Sequence, residues 1–269
     1  MPIVIMLFSS VAIIALVKYG LVPGIDRVSA AWGWSLKARG KATGYATSVP
    51  ELVTLVAAGL SGVWDAGLWN IASSNILNVS LAAVAVAVHR RGGDVLNRRF
   101  AKELAFASVG IAAPLVLMQG GLDTHWAVIP SLLVLFAAYV LLDRSSGDSA
   151  ASVADGPQGG AATGLITIAI VLGLITLAGD QLGSATRDVV HEMGIPAIAA
   201  GWILGLVTSL PEAVTFFAAF SSDRTAGGNA GRLAQMQELL DNLAASNMSN
   251  SGLIYPVGLG IFLLGTGLA

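Results

Sequence analysis

Two stretches, GYATSVPELVT (44–54) and GLVTSLPEAVT (205–215), align without a gap and share seven of eleven residues, including a Thr-Ser-x-Pro-Glu core. A second match lies downstream of each. WNIASSNILN (69–78) pairs with DNLAASNMSN (241–250) through Asn70/Asn242, Ala72/Ala244, Ser74/Ser246, Asn75/Asn247 and Asn78/Asn250. Apolar segments resemble one another by chance in Leu and Ala, not in Pro-Glu and Ser-Asn. The chain is internally duplicated.

The surroundings of the two copies set the fold class. Of 269 residues, 55% are hydrophobic and 11% charged, well below the ~25% charged share of a soluble domain. Crossing the hydrocarbon of a bilayer takes about 20 apolar residues, and eight stretches qualify: roughly 3–21, 40–59, 64–88, 101–119, 125–142, 163–180, 195–220 and 241–268. The first has no basic flank and no small-residue cleavage site, so it reads as a retained helix and not a signal peptide. The expected fold is an all-α polytopic membrane protein with about eight transmembrane helices. Zero cysteines exclude disulfides and thiolate metal sites, and no nucleophile–base pair stands in the spans, so an enzyme is not expected.

Basic residues give the orientation. Alternating loops place 13 of the 14 Lys and Arg on one side and only Arg187 on the other, a strong split under the positive-inside rule. Both termini are then outside the cell (inner) membrane. DRSSGDSAASVADGPQGGAA (143–162) becomes a flexible cytoplasmic linker between a first half (1–142, helices 1–5) and a second (163–269, helices 6–8). A second polar stretch, 221–238, reads as a loop between the seventh and eighth spans. Lys37, Arg39 and Lys41 lead into the first motif and are expected to snorkel to the cytoplasmic surface. The two motif copies lie in spans two and seven, so they cross the membrane in opposite directions. This is the inverted-repeat plan that puts a binding site at the midplane between halves.

The motif residues suit a cation there. Glu51 and Glu212 are glutamates deep in apolar spans, where an ionisable group costs several kcal/mol. Together they repel until a Ca²⁺, two Na⁺ or two H⁺ neutralise the pair. The bland alternative, a glutamate paired with a basic residue or held neutral against a neighbouring helix, is weakened because no Lys or Arg sits at similar depth. Pro50 and Pro211 break the helix beside each glutamate and expose main-chain oxygens, which a hard cation uses; a simple kink is the alternative. Asn75 and Asn78, like Asn247 and Asn250, are three apart, so each pair shares a helix face. Asn78 and Asn250 fit a cation better, Asn75 and Asn247 helix packing. Gly44 and Gly205 suit either role.

These residues resemble the cation/calcium antiporter superfamily, its sodium/calcium exchanger branch most closely. The family signature, Gly-Thr-Ser-x-Pro-Glu followed by Gly-Asn-x-x-Gly-Ser-Asn-x-x-Asn, is matched in both copies at Thr-Ser-x-Pro-Glu and at Asn-x-x-x-Ser-Asn-x-x-Asn. The resemblance implies Ca²⁺ and Na⁺ (or H⁺) as transported ions, with no cofactor. Its metal ligands map onto Gly44, Thr47, Ser48, Glu51, Ser74 and Asn78, with Gly205, Thr208, Ser209, Glu212, Ser246 and Asn250. It also implies exchange of Ca²⁺ or a similar divalent cation against Na⁺ by alternating access, with the bilayer and inorganic cations as partners, no nucleic acid, and room for a homo-oligomer. A cation/proton exchanger on the same scaffold, or a non-transporting subunit, are the rival expectations. Four features depart from the family. Asn250 stands where the second repeat commonly has Asp. Ser73 and Ala245 replace the Gly of Gly-Ser-Asn. Glu212 to Asn250 spans 38 residues against 27 from Glu51 to Asn78, and the family usually has ten helices.

Overall fold

The computed structural model describes residues 2–144, 160–221 and 229–267, and these form eight helical spans. Helix α1 runs Pro2–Ala31, α3 Trp64–Val88 and α4 Arg98–Gln119. Helix α5 is Val128–Arg144 and α6 Ala161–Met193. The two motif helices are broken, each at the serine of Thr-Ser-x-Pro. Helix α2 consists of α2a (Leu36–Thr47) and α2b (Val49–Leu60), and α7 of α7a (Ala197–Thr208) and α7b (Leu210–Ser221). Pro50 and Pro211 stand at the second position of α2b and α7b, where a missing N–H costs least. Helix α8 has an α-helical first part, α8a (Asn229–Ser249), a π-helical turn (Asn250–Ile254) and a last part, α8b (Tyr255–Thr266).

Packing follows the duplication. Helix α2a lies against α8a, and its counterpart α7a lies against α3. Helices α1 and α6 pair with each other, and α6 also packs on α2b, while α4 and α5 cover α8. Glycines permit the two motif crossings. A Cβ on Gly40 would sit 2.6 Å from the Glu238 carbonyl, and one on Gly44 2.5 Å from that of Asn242. In the second copy, a Cβ on Gly201 would fall 2.8 Å from the Ala66 carbonyl and one on Gly205 would overlap Ser73 Oγ. Small-xxx-small spacing brings backbones together where lipid supplies no hydrophobic drive between helices.

The interior inverts that of a soluble protein. One apolar cluster (Leu55, Leu68, Ile71, Leu132, Tyr255, Leu259 among others) joins α2b, α3, α5 and α8b. Another joins α3, α4, α7b and α8a around Phe100, Phe216, Met236 and Leu243. Between them runs a buried belt of Ser, Thr, Asn and Glu, while Phe8, Val11, Ile166, Ile170 and Leu177 face outward. Among the described residues, six helices are long and apolar enough to cross a membrane, and the chain is an integral membrane protein of inverted-repeat architecture.

Three expectations need correction. The polar stretch 221–238 is not all loop. Helix α8 begins at Asn229, so most of the extra residues of the second repeat form helical turns whose Gln235, Gln237 and Glu238 are buried. Second, Lys37 and Arg39 do not snorkel to the surface; they are buried because carboxylates on neighbouring helices meet them. Arg39 pairs with Asp26 of α1 and Glu238 of α8a, and Lys37, Lys41 and Lys102 surround Asp143 of α5. Third, α6 continues past residue 180 to Met193, since Leu182, Ala185 and Val189 keep an apolar face against α1 while Arg187 stays exposed. Most of the expected linker, 145–159, lies outside the described residues.

Candidate cation-binding site

Each helix break puts a glutamate in the first turn of the half-helix that follows, where the N-terminal end of the macrodipole favours negative charge. Glu51 and Glu212 are fully buried, and their carboxylates lie near enough to one another for their charges to interact. The hydroxyls of Thr208 and Ser74 face Glu51, and those of Thr47 and Ser246 face Glu212. Each glutamate is therefore lined by the serine of its own repeat and the threonine of the other.

Those hydroxyls are largely committed elsewhere. Thr208 Oγ1 donates to Asn70 Oδ1 at 3.1 Å and lies 3.2 Å from Ser74 Oγ. Thr47 Oγ1 donates to the Thr43 carbonyl at 3.0 Å. Ser246 Oγ donates to Glu212 Oε1 at 3.2 Å and hydrogen-bonds Ser48 Oγ at 3.0 Å. Ser48 Oγ also donates to the Gly44 carbonyl at 2.9 Å, and Ser209 Oγ to that of Ser74 at 3.5 Å. Neither oxygen of Glu51 has a well-formed hydrogen bond, and Glu212 Oε2, Asn78 Oδ1 and Asn250 Oδ1 also lack a donor. Buried polar atoms are normally paired. Here five unpaired atoms in one belt are all oxygen acceptors, which is what a cation requires.

The amides are oriented to leave those oxygens free. Asn78 Nδ2 donates to Asn247 Oδ1 at 3.2 Å and to Ser246 Oγ at 3.1 Å. Asn250 Nδ2 donates to Asn75 Oδ1 at 2.9 Å. Asn75 and Asn247 are bound to main chain in turn: Asn75 Nδ2 to the Gly110 carbonyl at 2.8 Å, Asn247 Nδ2 to those of Asn75 and Ala107 at 3.1 and 3.2 Å. Ten of the twelve expected ligands thus share the belt where α2, α3, α7 and α8 cross. Gly44 and Gly205 stand at the helix crossings described above.

The structure adds residues that sequence reasoning passed over. Asn70 Nδ2 donates to Thr54 Oγ1 at 2.8 Å and Thr54 Oγ1 to the Glu51 carbonyl at 3.1 Å. The second repeat repeats this relay with Asn242, Thr215 and Glu212, at 2.8 and 2.9 Å. Both pairs recur in the two copies, so the duplication itself carried the signal. Glu103, Asp143 and Asp241 form a buried acidic cluster with ligand atoms within 4.8 Å of one another. It lies toward the lysine-rich end of the bundle, so Glu51 and Glu212 are not the sole buried carboxylates. Its three acids come from α4, α5 and α8, and no motif announces it.

The family model described as "Sodium/calcium exchanger protein" matches residues 2–143. The chain belongs to this family. It is thereby a member of the cation/calcium antiporter superfamily, and its neighbours in fold are also exchangers. One structure of the sodium-calcium exchanger NCX_Mj, soaked with 100 mM Na⁺ and 10 mM Sr²⁺, shares 21% identity, with 97% of this chain and 83% of that chain covered at a TM-score of 0.59. NCX_Mj soaked with 10 mM Na⁺ and no Ca²⁺ shares 20% identity over 100% of this chain and 90% of that one, at 0.55. At this identity the likeness is one of fold. No curated protein matches the chain. The family match ends at the close of the first half, whereas the structural likeness runs through both.

Proposed function

We propose that this member of the sodium/calcium exchanger family moves Ca²⁺, or a similar divalent cation, against Na⁺ through alternating access to one midplane site. The observation that carries the reading is the pair of buried carboxylates, Glu51 and Glu212, delivered by inverted copies into a belt of unpaired oxygen acceptors. Ca²⁺ takes about six to eight oxygens. Glu51 and Glu212, the amide oxygens of Asn78 and Asn250 and the hydroxyls of Thr47, Ser48, Ser74, Thr208, Ser209 and Ser246 supply them, with the carbonyls of Gly44 and Gly205 at the margin. Two carboxylates balance one Ca²⁺ or two Na⁺, so occupancy by one ion excludes the other and couples their fluxes. The basic end of the bundle faces the cytoplasm, with both termini outside and residues 143–162 joining the halves 1–142 and 163–269 on the cytoplasmic side.

The test is ⁴⁵Ca²⁺ uptake into proteoliposomes under an imposed Na⁺ gradient, with Glu51→Gln and Glu212→Gln in parallel. Gradient-driven uptake by the wild type and its loss in both variants is the expected result. Uptake that ignores the Na⁺ gradient but follows a proton gradient reassigns the counter-ion. Uptake absent under either gradient, with variants indistinguishable from wild type, ends the proposal.

A further inference from the structure

Helix α4 lies outside both repeats, yet the amides of both repeats trace back to it. Its buried face is Glu103, Ala107, Gly110 and Pro114, one stripe at helical spacing. The Gly110 carbonyl accepts from Asn75 Nδ2 at 2.8 Å and from Ser251 Oγ at 2.6 Å, and the Ala107 carbonyl from Asn247 Nδ2 at 3.2 Å. Asn75 then holds the amide of Asn250, and Asn247 that of Asn78. A side chain at Gly110 would put a Cβ 2.8 Å from the Asn247 carbonyl, so glycine is what lets α8 approach.

A carbonyl inside a helix is ordinarily occupied by the N–H four residues on. Four residues after Gly110 stands Pro114, inside α4, which has no N–H to give. We infer that Pro114 is a positioning residue for the cation site: it keeps the Gly110 carbonyl open for Asn75 and Ser251, and through Asn75 it orients Asn250. This rests on the site reading above and extends it to a helix that contributes no ligand. Proline at this point is more than a kink, because the carbonyl it releases is taken by side chains from two other helices.

The experiment replaces Pro114 with Ala, which restores the N–H that competes for Gly110. Two quantities are read on the full chain in detergent: thermal stability without divalent cation, and the Ca²⁺ concentration that half-saturates thermal stabilisation. In the first, Ser251→Ala removes both its bond to the Gly110 carbonyl and the one its Oγ accepts from Asn75 Nδ2 at 2.9 Å; it is expected to cost less in the Pro114→Ala background than in the wild type, since the two changes share the Gly110 acceptor. In the second, Pro114→Ala is expected to raise the half-saturating Ca²⁺ about tenfold, the usual scale for losing an outer partner of a metal ligand. Pro130→Ala, on the exposed face of α5, is the control and leaves both readings unchanged. Additive effects of Pro114→Ala and Ser251→Ala overturn the inference whatever the cation does. Non-additive stability with an unmoved Ca²⁺ midpoint, while Glu51→Gln abolishes the response, reduces Pro114 to a structural role and also overturns it. A wild type with no Ca²⁺ response removes the site reading, and the positioning role falls with it.

Discussion

The two repeats make the same contacts with different finish. Thr54–Asn70 and Thr215–Asn242 close at the same 2.8 Å, and each glutamate looks at the other repeat's threonine. Yet Glu212 keeps a hydrogen bond from Ser246, whereas Glu51 has none of good geometry. Helix α3 runs unbroken α-helical past Asn78, whereas α8 turns π-helical at Asn250, and such bulges gather at functional sites. The crossings differ as well. Where α2a meets α8a, Arg39 pairs with Glu238; the equivalent positions on α7a and α3 are Ala200 and Ala66, both buried. Duplication has conserved the ring of contacts around the glutamates, and divergence has moved to its edges. The oxygens around the two glutamates are near-symmetric, while the two crossings that flank them are chemically unlike.

The glutamates test that symmetry most severely. Gln keeps the volume and removes the charge, so Glu51→Gln and Glu212→Gln are each expected to lower ⁴⁵Ca²⁺ uptake by about 100-fold or more, on the scale of a buried charge left without its partner. Glu51, with both oxygens free, should show the larger loss. Equal residual uptake in the two variants breaks the asymmetry and leaves a strictly two-fold site.

The charged crossing comes next. Removing one partner of a buried ion pair costs about 3–5 kcal/mol, because the other charge stays behind. Arg39→Ala is expected to fall in that range in thermal unfolding, since it removes the guanidinium that meets both Asp26 and Glu238. Adding Glu238→Ala reproduces the Ala–Ala composition of the other crossing and should recover a substantial part of the loss. Failure to recover would show that Asp26 dominates the pair.

Much of this is legible in the sequence. The apolar spans, the inversion and the meeting of Glu51 with Glu212 all follow from residue types whose placement has a single cheap solution in a bilayer. The charged end was not readable, for a physical reason. Lys37 and Arg39 look like snorkelling residues when their helix is considered alone. Their partners Asp26, Asp143 and Glu238 lie on three other helices, distant in sequence and without a repeating pattern. The start of α8 reads as a loop for the same reason, since Gln235, Gln237 and Glu238 satisfy no apolar period and are buried where Arg91, Arg99 and Arg39 meet them, with Glu103 and Asp241 also accepting from Gln237.

Steric asymmetry is the third and smaller effect. A methyl on Gly44 comes nearest the Asn242 carbonyl, which is backbone, whereas one on Gly205 comes nearest the Ser73 hydroxyl, a side-chain atom bonded to the Gly201 carbonyl, with the Ser74 N–H next at 3.0 Å. Overpacking costs about 1–3 kcal/mol, so Gly44→Ala is expected at the upper end and Gly205→Ala at the lower, by thermal unfolding. Ser73→Ala should recover part of the Gly205→Ala loss, since it removes the nearest of the atoms the methyl meets. No single side-chain change is available to rescue Gly44→Ala in the same way, and equal costs at both glycines would remove the distinction between the crossings.

The finest difference lies in the two relay asparagines. Asn70 spends its amide fully: Nδ2 donates to Thr54, and Oδ1 accepts from Thr208 at 3.1 Å. Asn242 donates to Thr215 in the same way, but its Oδ1 is buried without a donor. A buried hydrogen bond is worth about 1 kcal/mol net, and stranding its partner costs more. Asn70→Ala removes both of these bonds and the longer one from Ser74 Oγ at 3.5 Å, and leaves Thr208, whose hydroxyl faces Glu51, to its contact with Ser74. Asn242→Ala removes one bond and also relieves an unpaired oxygen. Unfolding measurements should therefore place Asn70→Ala roughly 1 kcal/mol below Asn242→Ala, and the Ca²⁺ midpoint should move only in the former. A reversed order in unfolding would mean that the Asn242–Thr215 bond holds the fold more than both bonds of Asn70, and a Ca²⁺ midpoint that moves in Asn242→Ala would extend the oxygen set of the second repeat one helical turn beyond Ser246.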